Sequence, residues 1–164
     1  MNPIEYYLKL DQFLVDRATE VVKVWNWTTG RTKADLANVT HLSGCALNAA
    51  SGWFGDNPAN VHNFFLTFFW SYIGISCKKF HDDIERREAN SLETKDLSVE
   101  RYKQASKISS PLLGGIGGTL AVEGFSTDSL EYKMFGQGTI LVGATDYIMR
   151  AEPQKPRKDC VRRG

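Results

Sequence analysis

From Ala34 to Cys77 the chain runs 44 residues without a lysine or arginine, and only Asp35 and Asp56 in that stretch are acidic. A second stretch, Ile108 to Tyr132, also lacks both basic residues. The first is interrupted by Gly55-Asp56-Asn57-Pro58, a strong turn signal. In the second, Gly124 to Ser129 reads as a turn before an apolar segment from about Leu130 to Met149. Each block therefore reads as two helices joined by a turn, and a helix of roughly 20 residues matches the ~30 Å of a bilayer's hydrocarbon.

The fold expected is all-α: a helical membrane protein with an N-terminal amphipathic helix and two helical hairpins. Their four transmembrane or re-entrant segments are joined by a charged helical connector. The chain divides as one domain into 1–30 (interfacial helix), 33–77 (first hairpin), 78–107 (cytosolic connector), 108–150 (second hairpin) and 151–164 (basic tail).

Local signals support each element. Asn2, Pro3 and Glu5 form a helix start. Ile4, Tyr7, Leu8, Leu14, Val21 and Val22 approximate one stripe, widened by Leu10, Val15, Ala18 and Trp25, with Asp11, Asp16, Arg17, Glu20 and Lys23 on the polar remainder. Trp25 and Trp27 close that helix and suit a headgroup region. Thr32 and Asp35 have capping-box spacing. The segment Asn63–Ile75 is aromatic and apolar around its whole circumference, so it must be buried in protein or in lipid. After Cys77, Lys78-Lys79 opens a charge-rich stretch with helix-favouring residues, broken near Asn90-Ser91, where Ser91 can cap a second helix.

Charge placement sets the expected topology. Lys and Arg number 20 against 19 Asp and Glu, so no global charge attracts nucleic acid. If all four apolar segments cross, 19 of the 20 basic residues fall on one side, and Lys133 alone falls on the other. That is the direction of a positive-inside topology, with both termini cytosolic. Shallow re-entrant hairpins give the same pattern. The mean hydropathy is slightly negative, at -0.32, which is unusual for a polytopic membrane protein; the average conceals the segregation just described. The first residues lack the basic and long apolar regions of a cleavable signal, so internal segments are expected to direct insertion.

The remaining motifs are read by their chemistry. Gly114-Gly115-Ile116-Gly117-Gly118 lacks the preceding strand and the Gly-Lys-Ser/Thr ending of a phosphate loop. Its spacing Ser110, Gly114, Gly118 is small-xxx-small, which suits helix–helix contact in lipid, and Gly136 and Gly143 of the last segment are read as packing residues as well. Asn57-Pro58-Ala59, a single copy, reads as a turn. Asp146 stands near a hydrophobic segment, where charge is expensive; Arg150 lies four residues on, so an interfacial ion pair is expected.

His41 and His62 are expected at different depths, and His81-Asp82-Asp83 on a solvated face. Cys45, Cys77 and Cys160 form no disulfide framework and no metal motif. The basic tail suits anionic headgroups. Asn26-Trp27-Thr28 and Asn38-Val39-Thr40 match glycosylation acceptors that this topology leaves unused.

No metal, cofactor or catalytic constellation is expected, and the chain is read as not an enzyme; the one assembly left for catalysis joins Asp146, His41 and the connector. The leading functional expectation is a self-associating scaffold, membrane-shaping protein or accessory subunit whose partners are the bilayer, itself or other membrane proteins. The alternatives are an oligomeric pore or small transporter lined by Asn48, Gln137, Thr139 and Thr145, and a soluble helical bundle that binds a protein.

Overall fold

The computed structural model describes residues 2–54, 61–90 and 96–152. They form α1 (Pro3–Thr29), α2 (Lys33–Ser51), α3 (Val61–Asn90), α4 (Leu97–Ser126) and α5 (Leu130–Arg150), with no strand among the described residues. The chain is all-α. The expected turn at Gly55 to Pro58, the Asn57-Pro58-Ala59 motif, the Ser91 cap, the side chain of His62, Cys160 and the basic tail lie outside what is described.

The helix starts follow their sequence signals. Asn2 accepts the Ile4 amide at 3.1 Å ahead of Pro3. Thr32 and Asp35 close a reciprocal capping box. The middle of the chain is organised differently from the separate connector read above. Because no breaker follows Cys77, α3 continues through Lys78-Lys79 to Asn90, so the charged residues extend an apolar helix. Likewise α4 starts at an Asp96 cap and runs through Pro111 to Ser126.

Proline inside a helix removes one N–H and leaves the carbonyl four residues earlier unpaired. That carbonyl belongs to Lys107, and the Tyr7 hydroxyl of α1 donates to it. The hole that Pro111 leaves in α4 thus becomes an anchor for α1.

The central helix is α5, with α4 against one side and α2 against the other; α3 leans on α2 and scarcely touches α4. The α5 seams are made by the absence of side chains. A Cβ on Gly136 would stand 2.4 Å from the Ala121 nitrogen, and one on Gly117 2.7 Å from the Gly136 oxygen. On the α2 side, Gly44 and Gly138 approach as closely. Small residues at a helix interface are what permit such close backbone approach.

A compact apolar cluster (Val22, Ala34, Ala37, Ile84, Ile148, Met149 and Ala151) ties α1, α2, α3 and α5 at one end. Lys33 is buried there. Its Nζ pairs with Glu88 and donates to the Met149 and Ala151 carbonyls at the end of α5, capping that helix with a cation. Lys103 joins the same Glu88 at 2.6 Å.

Large apolar side chains are distributed in the opposite sense. Phe68, Phe69, Tyr72 and Ile75 on α3 are exposed, as are Ile108, Leu112, Ile116, Val122 and Phe125 on α4. No helix among the described residues is long and apolar enough to cross a membrane. The four spanning segments expected from sequence therefore gain no support from the helices taken singly, because glycine, serine and threonine dilute their hydropathy.

Candidate functional site

Polar and ionisable side chains collect in one layer, just inside the apolar cluster, where α2, α3, α4 and α5 meet. Asn38 and His41 come from α2, and Cys77, His81 and Asp82 from α3. Tyr102, Ser106, Ser109 and Ser110 come from α4, and Asp146 from α5. The arrangement follows from helix periodicity: His41 and Cys45 on α2, like Cys77 and His81 on α3, are four residues apart and share a face. Gly74, one turn from Cys77, brings α3 close to α2, a Cβ there standing 3.2 Å from the Cys45 Cβ.

One half of the layer is a chain of hydrogen bonds. Asn38 Nδ2 donates to Asp82 Oδ1 at 3.1 Å, and Asn38 Oδ1 lies 2.8 Å from His81 Nδ1. A carboxylate only accepts, so Asp82 fixes which way the Asn38 amide faces, and His81 must donate from Nδ1. The His81 ring stands edge-on to His41, centroids 5.5 Å apart. His81 is 3% exposed and His41 7%, and His41 Nε2 is buried without a hydrogen-bond partner. Burial, with His41 adding to it and Asp82 opposing, pushes the His81 pKa down from 6.5 to about 4.

The other half centres on Asp146, whose carboxylate accepts from Tyr102 at 3.0 Å, Ser109 at 2.7 Å and Ser110 at 3.3 Å. Desolvation, then Asp146, raises the Tyr102 pKa, so this phenol stays a donor. Tyr102 and Ser109 donate to the carboxylate outright, while Ser110 shares its one proton with the Ser106 carbonyl, so Asp146 is satisfied without a cation. Chemically the layer can hold or pass protons. It is not an assembled metal centre: among the described residues no three His, Cys, Asp or Glu stand where they hold a metal ion.

The positions singled out from sequence are placed as follows. Asp146 does not pair with Arg150, because the three hydroxyls claim it. Arg150 instead forms a buried bidentate pair with Asp11 at 2.8 and 2.5 Å. Asp11, read as part of the polar face of α1, is therefore turned inward. The inward face of α1 is Asp11, Leu14, Val15, Ala18, Thr19, Val22, Trp25 and Asn26, whereas Ile4, Leu8 and Val21 are exposed. Trp25 is half-buried and Trp27 exposed.

Ser110, Gly136 and Gly143 face the α4–α5 seam. A Cβ on Gly114 or Gly118 meets nothing within 4 Å, and the close approach falls on Gly117, Ala121 and Gly124 instead. His81 is not on a solvated face, since Asn38 and His41 cover it. His41, Asp146 and the connector residues His81 and Tyr102 do share one layer. The missed signal was the paired spacing His41/Cys45 and Cys77/His81 on two successive helices.

Of the polar residues considered for a pore, Thr139 and Thr145 bond back to Phe135 and Leu141 of their own helix. Asn48 is wholly buried against Gly138, and Gln137 faces outward. No protein-family model, curated protein or solved structure matches the chain.

Proposed function

We propose that this chain is a small membrane-inserted helical bundle with a non-enzymatic role, a scaffold or accessory subunit that packs against itself or other membrane proteins. The observation that carries the reading is the inverted distribution of side chains. Glycine, alanine, serine and threonine fill the seams, while phenylalanine, leucine and isoleucine line the outside of α3 and α4. A water-soluble bundle gains its stability by burying those large side chains.

The lipid-facing part in this reading covers residues 42–54, 67–77, 108–125 and 130–145. Its apolar stripe on α4, Ile108 to Phe125, is about 25 Å long at 1.5 Å per residue, short of a ~30 Å hydrocarbon core. The bundle would therefore enter lipid as a packed unit or a wedge that thins the bilayer, rather than as independent spans. The basic residues at its other end would remain on the cytosolic side. The packed state of Thr139, Thr145 and Asn48 favours the scaffold over the pore.

Membrane fractionation tests this. After an alkaline carbonate wash the protein should stay in the pellet and leave it only with detergent. A folded, monodisperse species in the soluble fraction would overturn the reading.

A further inference from the structure

The α2–α3 contact is held by very different means from the rest of the bundle. Because α3 scarcely touches α4, its position depends on α2. At the charged end α3 is held by the Lys33–Glu88–Lys103 clamp, by Ile84 in the apolar cluster, by Phe80 against Tyr102 and, one to two turns below the clamp, by the Asn38–His41–His81 contact.

We propose that the His41–His81 contact is a proton-operated latch: neutral rings hold α3 against α2, and a proton taken up by either ring releases α3.

Every titratable group facing the pair is accounted for. From α2 come His41 and, one turn on, Cys45; from α3, Asp82 and Cys77; from α4, Tyr102; from α5, Asp146. Two carboxylates favour a charged ring, Asp82 for His81 and Asp146 for His41, and burial outweighs each of them. Asp82 accepts from Asn38, and Asp146 accepts from Tyr102, Ser109 and Ser110. Asn38 offers His81 only an oxygen, which the neutral ring already fills from Nδ1. A second proton must therefore go to Nε2.

For His41, Nε2 is buried without a partner. A charge on either ring faces the other ring at 5.5 Å centroid separation, and both rings are themselves buried. Opening the contact hydrates the charge, against the neighbouring packing of Ile84 in the apolar cluster and of Phe80 on Tyr102.

The sign follows from the depressed value in the closed state. A histidine with an open-state pKa near 6.5 and a closed-state value of about 4 favours the closed form fully above pH 6.5. That preference is lost as pH falls from 6.5 toward 4.

The test is hydrogen–deuterium exchange on the full chain, comparing α3 amides of residues 67–81 with α5 amides of residues 136–148 in the same molecule. Taking the ratio cancels the pH dependence of chemical exchange. Between about pH 7.5 and about pH 5 the ratio should rise roughly tenfold or more. The double variant His41→Gln with His81→Gln should hold it flat, and Glu88→Gln, which alters the clamp, should leave the rise in place.

A flat ratio in the natural chain overturns the latch, as does an equal rise in the double variant. Should that variant not fold, 15N shifts of the His81 ring decide. Their titration midpoint must coincide with that of the exchange ratio, and separation of the two overturns the proposal.

Discussion

The α4–α5 seam and the charged end of the α2–α3 seam join helices of the same chain by opposite strategies. Over its glycine-rich length the first removes side chains until backbones touch, at Gly117, Ala121, Gly124 and Gly136, and only near the charged end does Asp146 meet Tyr102 and Ser109. The second keeps polar side chains and connects them, Asp82 to Asn38 to His81, with His41 alongside. A seam made of backbone has no titratable group and no rotamer to adjust, so it is indifferent to pH and intolerant of a methyl group. A seam made of hydrogen bonds tolerates changes in shape better and is sensitive to protons. One bundle thus contains a fixed pair of helices and a conditional one.

The largest expected effect breaks the fixed seam. Gly136→Val would drive new carbons into the Ala121 backbone, which cannot move without shifting α4, and should cost about 3 kcal/mol or more. Denaturant unfolding of the purified chain measures it; a loss under about 1 kcal/mol would mean that the two backbones are not this close.

Next comes the docking of α1. Asp11→Ala strips the Arg150 guanidinium of both its carboxylate contacts, with its side chain only 7% exposed. Removing one partner of a buried pair should cost about 3 kcal/mol and loosen α1 first, visible as rapid exchange of its amides.

The conditional seam should show its character in the pH profile of stability. His81 contributes a term that is complete above pH 6.5 and declines by up to about 3 kcal/mol as pH falls toward 4, so unfolding midpoints should drop across that interval. His81→Gln should flatten that part of the profile, which Gly136→Val should leave unchanged.

A smaller effect tests the proline repair. Tyr7→Phe returns the Lys107 carbonyl to the unpaired state that Pro111 creates, at a cost of about 1 kcal/mol. The smallest effect has the opposite sign. Gly118→Ala places a methyl group in open space and should stabilise α4 by about 0.5–1 kcal/mol through helix propensity. The contrast between Gly118 and Gly136 would locate the seam by stability alone.

Much of the helical layout was legible. The caps at Asn2 and Thr32 and the uncharged stretches announce helices through local rules, which act within a few residues. The candidate site was legible only in pieces. His41 and Asp146 stood out as polar residues near apolar segments, but neither the partner of His41 nor the three hydroxyls on Asp146 could be read, since those contacts join residues 36 to 44 positions apart.

The Asp146–Arg150 pair was reasonable on spacing and lost to better offers: Asp146 found three donors, and Arg150 found a second carboxylate on α1. The glycine register missed by a fraction of a turn. Ser110, Gly114 and Gly118 satisfy a four-residue repeat, whereas the observed contacts at Ser110, Gly117, Ala121 and Gly124 follow the seam along a helix of 3.6 residues per turn.

What the sequence determined by itself was whatever depends on near neighbours along the chain: where helices start and which stretches avoid charge. Tertiary structure alone decided which of several adequate partners each polar group takes and which of several glycines meets a backbone. Those choices are settled by competition among distant groups for the same few ångströms of space, and a linear pattern carries no record of that distance.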